Sequence, residues 1–503
     1  MGGGLVQLVS YGIQDMVLIG DPQVTLFKTI YRRHTNFAIE SIPQRFNKNN
    51  VSMGETVHCK LNRTGDLAYR GSLVVTLPPI PQFITNGKLD TRTKFAWARK
   101  IGYAIISRIT VEIGGKVIDS QTGEWMNIWH ELTRSSDRNL DALIGNVPEL
   151  FEPTNGKDPY TLRIPLALWF CEHNVMALPL VALQYSQVRV VVEFSDPSSC
   201  YMVTPVHNMQ LLDDTVQFEA GEYMEQNVNG NIAQGVYVDF DPLTRTLWYN
   251  RISDNPFIAL PSVPLDTRTR LKYAINGKLS GYSAIPFDAA KERAIRRVPL
   301  NPVFTDCYLD VEYVYVDAEE RARLSEVSRE YLIEQVQLAT TKTVQSTSAS
   351  IKLPFNHPIK AIVVVVRSTS VSRANDWFNY TTLPYRGTDG KLEGKNMITS
   401  AEILFNGQTR TGSRPGAYYN RLHPYYYFKR APGRGINVYS LAIFPAESFP
   451  SGSANGTLID DIEIKLRLDP VVNVGNGAEI RAYAIGWNIF RTINGLGGVL
   501  FTN

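Results

Sequence analysis

Two all-β sandwich domains in tandem are what the 503 residues point to, on three observations. Short β-branched and aromatic runs recur along the whole chain between Gly, Pro and Asn punctuation. Helical periodicity is confined to a few stretches. The landmarks of the first half return in the same order in the second, the mark of an internally repeated fold. With 36 Gly and 28 Pro, sandwiches or barrels fit better than parallel α/β units.

The elements can be justified from the amino end. The opening "MGGGLVQLVSYG" has no basic n-region and too short an apolar run for a signal peptide. Val6 stands where a myristoylation motif needs Ser or Thr. Residues 1–25 are therefore expected to form an arm ahead of the first domain. "DPQVTLFKTIYRR" (21–33) reads as a short helix, with Asp21 at the cap and Pro22 in the first turn. "NFAIESI" (36–42) follows as the first strand, carrying Phe37, Ile39 and Ile42. Arg32, Arg33 and His34 lie at the corner between the two.

Further strands are expected at "SLVVTLPPIP" (72–81), "VRVVVEF" (188–194), "YLDVEYVYV" (308–316), "AIVVVVR" (361–367) and "DIEIKLRL" (461–468). In the last, Ile462, Ile464, Leu466 and Leu468 alternate with charged residues, the pattern of a strand with one solvated face. "AIVVVV" (361–366) is the longest purely apolar run, far below the ~20 residues of a membrane span. "GEWMNIWHEL" (123–132) sets Trp125, Ile128, Trp129 and Leu132 on one helical face. "DAEERARLSEVSREYLIEQ" (317–335) is the longest helical candidate. It has Asp317 and Glu320 as a capping box and Leu324, Val327 and Tyr331 as its stripe.

The repeat pairs "ITVEIGGKVID" (109–119) with "AEILFNGQTRT" (401–411), each a strand, a Gly turn and a return strand. "PLVALQYSQVRVVVEF" (179–194) pairs with "ANGTLIDDIEIKLRL" (454–468), and "YLDVEYVYV" with "RAYAIGWNIF" (481–490). Between the last two landmarks the first copy carries about a hundred extra residues. This places an insertion at roughly 200–300, with strand-like runs "TVQFEA", "GVYVDF" and "RLKYAI" of its own. Loops accept such insertions because closure entropy grows only logarithmically with length. The division expected is an arm (1–25), a first domain (26–318) holding the insertion, a linker helix (319–340) and a second domain (341–503).

Chemistry is scarce. With 51 basic against 48 acidic side chains there is no concentrated basic footprint, so direct nucleic-acid binding is not expected. Cys59, Cys171, Cys200 and Cys307 form no CxxC pair, and the seven histidines form no HExxH or HxxxH pair; neither a disulfide framework nor a metal site is expected. No dinucleotide, P-loop or nucleophile-elbow motif occurs; "GTDGKLEGK" (387–395) has the wrong spacing. Glu124, Glu152, Asp158 and Glu172 lie near aromatics, as a glycosidase pair would, but nothing fixes a separation between any two. "FNHPIK" (355–360) holds a lone His, and "HPYYYFKR" (423–430) sets aromatics beside cations, read as core and subunit contact before sugar binding. N-x-S/T sequons begin at Asn50, Asn62, Asn379 and Asn455, the candidate glycan acceptors. No catalytic residue and no cofactor is assigned.

Several long blocks resemble one family. "GGGLVQLVSYGIQDMVLIGDPQVTLFKTIYRRHTNFAIE" (2–40) is similar to the amino-terminal segment of major capsid proteins of the nucleocytoplasmic large DNA viruses. "VDAEERARLSEVSREYLIEQVQ" (316–337) resembles the linker between that family's two jelly rolls. "LPFNHPIKAIVVVVR" (353–367), "INVYSLAIFPAESFPSGSANGT" (436–457) and "RAYAIGWNIFRTINGLGGVLFTN" (481–503) resemble their second domain. The likeness runs from residue 2 to 503 and is weak only over the insertion.

The resemblance implies a double jelly roll whose homotrimer is a pseudo-hexagonal capsomer tiling an icosahedral shell, closed by heterologous contacts. An obligate interface of this kind buries on the order of 2,000–5,000 Å². It also implies residence in the virion, assembly in the host cytoplasm, and contact with neighbouring capsomers and with minor capsid and penton proteins. Through the arm, it further implies contact with an internal membrane layer. Arg32, Arg33 and His34 then become an assembly corner, holding the arm or a neighbouring subunit through carboxylate and carbonyl contacts. The rival reading is a carbohydrate-binding or glycoside-processing protein on tandem sandwiches.

Overall fold

The computed structural model describes residues 3–502 except 11, 14–15, 29–32, 86, 135–138, 262–265, 288–291, 296, 298 and 384–393. The first roll uses β1 (Phe37–Arg45), β2 (Thr56–Lys60), β3 (Leu67–Leu77), β4 (Ile106–Ile113), β5 (Lys116–Gln121), β6 (Tyr160–Pro165), β7 (Val188–Phe194) and β8 (Asp306–Val316). They form two antiparallel sheets, ordered β1-β8-β3-β6 and β2-β7-β4-β5. The second roll uses β9 (Arg329–Leu338), β10 (Ser348–Lys352), β11 (Pro358–Ser368), β12 (Ile398–Phe405), β13 (Gln408–Pro415), β14 (Ile436–Ser440), β15 (Ile462–Leu468) and β16 (Ala478–Ile493). Its sheets run β9-β16-β11-β14 and β10-β15-β12-β13, the same orders with each strand number raised by eight. The repeat read from the landmarks is a repeat of topology.

Side-chain alternation fixes which face each strand buries. In β7 Val188, Val190, Val192 and Phe194 point into the core, and in β15 Ile462, Ile464, Leu466 and Leu468 do the same, as their period-two patterns require. β11 behaves differently. Ile362, Val364 and Val366 enter the second roll's own core, while Ala361, Val363 and Val365 join the hydrophobic cluster of the first roll. A strand covered on both faces needs no polar alternation, which accounts for the unbroken "AIVVVV".

Three expectations need correction. The linker helix spans only Ala318–Glu326, capped by Asp317, whose Oδ1 accepts from the Glu320 amide at 2.8 Å. Leu324 is its one buried residue. From Arg329 the chain is β9, paired with β16 over ten residues, so the second roll begins near 329 rather than 341. There the chain bonds along one edge to β16 and buries Ile333, a contact that a solvent-facing helix would not gain. The helix expected over 21–33 is not formed in its described part, 21–28, and Asp21 has φ +45°. Leu26 and Phe27 are 89% and 99% exposed, so that segment has no face to pack, and short unpacked helices are unstable in water. Short helices occur earlier in the arm, at Gly3–Val9 and Met16–Ile19.

The insertion is a small β-subdomain. Seven strands between His207 and Ala294 make one sheet around Met209, Leu211, Phe218, Met224, Leu247, Tyr249 and Ile275, a core separate from those of the rolls. "GVYVDF" lies inside the strand Asn231–Asp241. The strand expectation fails at "TVQFEA", an irregular segment that contributes Phe218 to that core. It also fails at "RLKYAI", which runs from the helix Thr267–Leu271 into the strand Ile275–Gly277. The insertion leaves and rejoins the roll at one place, where the Ile295 amide donates to the Val206 carbonyl at 2.7 Å. Among the described residues no helix is long and apolar enough to cross a membrane.

Replacing 207–294 by a short Gly–Ser turn should therefore leave both rolls folded, because the ends already meet and the excised core is its own. Near-ultraviolet circular dichroism should retain the signature of the buried Trp125 and Trp129, and its loss would show that the rolls need the insertion.

Candidate assembly site

The two rolls dock through one buried seam. Directly after β5 the chain forms the helix Gly123–Thr133, started by Thr122, whose Oγ1 accepts from the Trp125 amide at 3.1 Å. A Cβ at Gly123 would lie 2.0 Å from the Tyr103 carbonyl oxygen, so only glycine lets the helix begin this close to the neighbouring turn. Trp125, Ile128, Trp129 and Leu132 are buried, as their spacing predicts. This helix and β5 pack on the outward face of the second roll's sheet β9-β16-β11-β14. Trp125 lies 5.3 Å from the Tyr483 ring and stacks on Trp129 at 5.5 Å. Ile333, Val363, Val365, Ile485 and Trp487 join the same cluster.

Set into this apolar contact is an ion cluster in which Glu124 and Arg367 are buried while Arg481 and Glu479 stay partly exposed at its edge. Glu124 of the helix accepts from Arg367 Nη1 at 3.2 Å, Arg481 Nη1 at 2.9 Å, Tyr380 OH at 3.1 Å and Tyr483 OH at 2.7 Å. Arg367 also reaches Glu479 at 2.9 Å and the Trp377 carbonyl at 3.3 Å. Burial alone would raise the Glu124 carboxyl, but the two guanidiniums and the Tyr483 hydroxyl hold it below its ordinary value. A second pair, Lys360 with Glu334 at 2.5 Å, is buried beside Trp487, whose ring centroid is 4.3 Å from Lys360 Nζ. Burial pushes the Lys360 ammonium down, against the pull of Glu334.

Polar contacts fix the register along the rest of the seam. Gln335 of β9 donates to the Ile118 carbonyl, and the Val336 amide donates to Asp119 at 3.3 Å. Asp119 is buried and its carboxyl is pushed up to about 6 by that burial. Burial likewise pushes Glu172 up to about 7, with Glu334 adding to the rise and Arg134, Lys429 and Arg70 opposing it. Glu131 accepts from Lys100 at 2.6 Å and from the Gly433 amide at 2.9 Å. Trp377 Nε1 donates to the Ser199 carbonyl at 2.6 Å.

The residues singled out from sequence are not gathered into one site. Arg32 lies outside the described residues; Arg33 and His34 are exposed, and His34 Nδ1 sits 2.8 Å from the Thr35 carbonyl. Glu124 is occupied by four partners from the other roll, which removes it from any glycosidase pair. Asn50, Asn62 and Asn455 are exposed. Asn379 is not a candidate glycan acceptor in the folded chain. It is fully buried, its Nδ2 donates to the Leu383 carbonyl at 2.9 Å, and its Oδ1 accepts from Thr381. His357 of "FNHPIK" sits in a left-handed turn, φ +62°, with its amide bonded to Thr457 Oγ1 at 3.0 Å. In "HPYYYFKR" His423 and Phe428 are buried, whereas Tyr425 and Tyr426 are 74% and 66% exposed. Cys59, Cys200 and Cys307 are buried free thiols and Cys171 is half-buried. Sequence reasoning passed over Lys360, Arg367, Arg481 and Glu334. The available signal was a Lys and an Arg bracketing the apolar run of β11.

Two rolls of identical strand order, joined side by side through a buried seam, define the double jelly-roll class of capsid proteins. The family described as "Major capsid protein N-terminus" matches residues 25–240, and "Large eukaryotic DNA virus major capsid protein" matches residues 320–498. The chain belongs to the major capsid protein family of the large eukaryotic DNA viruses. It is 40% identical to "Probable capsid protein 4" of Acanthamoeba polyphaga mimivirus, over 100% of this chain and 99% of the relative. It is 29% identical to the major capsid protein of Phaeocystis pouchetii virus, over 100% of both. The fold is similar to that of the protein in the quasi-atomic PBCV-1 virus capsid. That match has TM-score 0.63 and 22% identity, and covers 95% of this chain and 100% of the other.

Glu124→Gln should destabilise the chain by about 1–3 kcal/mol in denaturant unfolding, because the buried Arg367 loses one of its two carboxylate partners and keeps Glu479. A change below about 1 kcal/mol would show that the cluster does not hold the seam. Asp119 gives a pH signature. Its carboxyl sits near its ordinary value when unfolded and at about 6 when folded. The folded state thus binds more protons between about pH 4 and 6, and this group's contribution to stability is lost as pH rises through that window. Comparing melting temperature against pH for wild type and Asp119→Asn should show the variant's profile flatter there, with its relative stability rising toward pH 7.

Proposed function

We propose that three copies of this chain form a pseudo-hexagonal capsomer that tiles the icosahedral shell of a large DNA virus. The observation that carries the reading is the repeat of topology. Two sandwiches with the same sheet orders stand beside each other, so three chains present six similar sides under threefold symmetry. The rigid seam supports it, because a capsomer edge must keep one shape while neighbours press on it.

The capsomer would lie in the virion after assembly in the host cytoplasm, with no turnover of any substrate. Its partners would be neighbouring capsomers and minor capsid and penton proteins. The arm supports an inward-facing contact. Leu5, Leu8, Val9, Ile13, Met16 and Ile19 are all more than half exposed, an apolar surface suited to a minor capsid protein or the internal membrane layer. Arg32, Arg33 and His34, which precede β1 in the sequence, would contribute assembly contacts. Asn50, Asn62 and Asn455 remain open to glycans by exposure. The carbohydrate-processing alternative loses Glu124, whose carboxylate is taken up by four partners of the seam.

Light scattering of the purified protein should give three times 56.5 kDa, and negative-stain images should show pseudo-hexagonal particles. Removing residues 2–20 should leave that trimer intact and impair shell formation. A monomer for the full chain would overturn the capsomer, and loss of the trimer in the deletion would overturn the role of the arm.

A further inference from the structure

A cavity of about 440 Å³ lies between the insertion and the two rolls, a volume within the range of small-molecule sites. Its walls come from the connections β3–β4, β5–β6, β7–β8 and β11–β12. Strand directions alternate from β1, which the arm precedes. All four connections therefore lie at the end of the rolls opposite the arm.

Two β faces form the long walls. On the side of the first roll, the strand Lys94–Trp97 pairs with Tyr201–Thr204, with Lys94 opposite Thr204 and Ala96 opposite Met202. Phe95 and Trp97 turn to the core of the first roll, so Lys94, Ala96, Met202 and Thr204 share the other face, toward the cavity. On the side of the insertion, Val236 stands opposite Asn250, while Leu247 and Tyr249 turn to the insertion's own core. Val236, Asn250 and Ile252 thus face the gap. Ala96 and Ile252 are buried yet belong to none of the three cores. Phe151 and Pro153 close one side, and residues 374–376 of the second roll close another. Asn375 Nδ2 holds that loop in place, donating to the Ser198 and Tyr201 carbonyls at 3.0 and 2.7 Å.

Unengaged polar groups gather at one end. Asn250 Oδ1 accepts from the Val206 amide at 3.0 Å, which places the side chain beside Thr204. Its Nδ2 has no partner among the described residues. Thr204 Oγ1 is buried without a partner. Lys94, across the ladder from Thr204, is half-buried and has no ion-pair partner among the described residues. All three groups can donate. The other charges of the lining are placed differently. Arg99 lies over the Phe151 ring at 4.0 Å, Asp376 is engaged within the chain, and Glu152 is exposed.

We propose that this cavity binds a small amphipathic carboxylate, with its apolar body between the two β faces and its oxygens on Lys94, Thr204 and Asn250. Apolar walls suit water poorly, because a buried water needs two to four polar partners. Donors left unmet at one end call for an acceptor. A carboxylate supplies two acceptor oxygens and the charge opposite to that of Lys94. The occupant touches the insertion and both rolls at once, and so fixes the angle at which the insertion stands on them. The site needs one chain only and is independent of the capsomer reading.

Equilibrium dialysis of the full chain against hexanoate, octanoate and decanoate tests the site. One molecule should bind per chain, and affinity should rise about fourfold for each added methylene. Lys94→Gln should weaken decanoate about tenfold and leave decanol unchanged. Val236→Phe, which fills the gap, should abolish binding, and unchanged circular-dichroism melts would establish that both variants fold. Wild-type protein that retains no decanoate overturns the site and leaves a hydrated cavity. Decanol or decylammonium held as tightly as decanoate overturns the carboxylate. Decanoate binding that neither variant reduces lies elsewhere on the chain and overturns the assignment to this cavity.

Discussion

One sheet in this molecule has to be buried on both sides, and much of the architecture follows from that requirement. The sheet β9-β16-β11-β14 gives one face to the second roll's core and the other to the first roll. Val363, Val365 and Ile485 would each forfeit roughly 1.5–3 kcal/mol if that outer face met water. The first roll supplies the cover as a helix of large aromatic residues placed directly after a hairpin, and Gly123 allows the helix to begin there. The two rolls are therefore parts of a single packed unit with a fixed relative orientation. A shell-forming protein depends on that, because every error in orientation is repeated at each lattice position.

Hydrophobic contact is nearly indifferent to sliding, so it fixes proximity better than register. Polar groups supply the register. Glu124 can satisfy its four donors in one arrangement only, and a shift of the helix by one turn would separate its carboxylate from both guanidiniums and both tyrosine hydroxyls. Buried ion pairs are weak stabilisers relative to a well-packed apolar contact, but misplacing one is expensive. Lys360 with Glu334, and the Val336 amide on Asp119, add further points of registration along the same seam. The outward face of β1-β8-β3-β6 lacks this apolar lining and remains wettable in the single chain.

Much of the fold was legible before any coordinates. The period-two runs at 188–194 and 462–468 are half-solvated strands, and the hairpins at 109–119 and 401–411 are hairpins. The excess of residues between the last landmarks is a subdomain with its own core. Reading failed where local pattern and tertiary pairing disagree. Residues 329–335 carry a capping box upstream and a helical stripe, yet they pair with β16. The segment 21–28 has a good helix start and nothing to pack against. The candidate site was far less legible. Glu124 was noticed as a carboxylate near tryptophans, which is true, but its partners lie 243 and 357 residues away in sequence. Asn379 reads as an acceptor site from three residues and is ruled out by its burial.

Composition, periodicity and internal repetition by themselves determined that this is a double β-sandwich protein with a projecting insertion. They act through side-chain alternation and turn chemistry, which are local and survive in a one-dimensional reading. Which face of which sheet meets the other roll was decided only in the folded molecule, as was the carboxylate at the centre of the seam. Those depend on contacts between residues hundreds of positions apart. Burial, the quantity that turns a charge into a clamp and a sequon into a core amide, exists only once those contacts have formed.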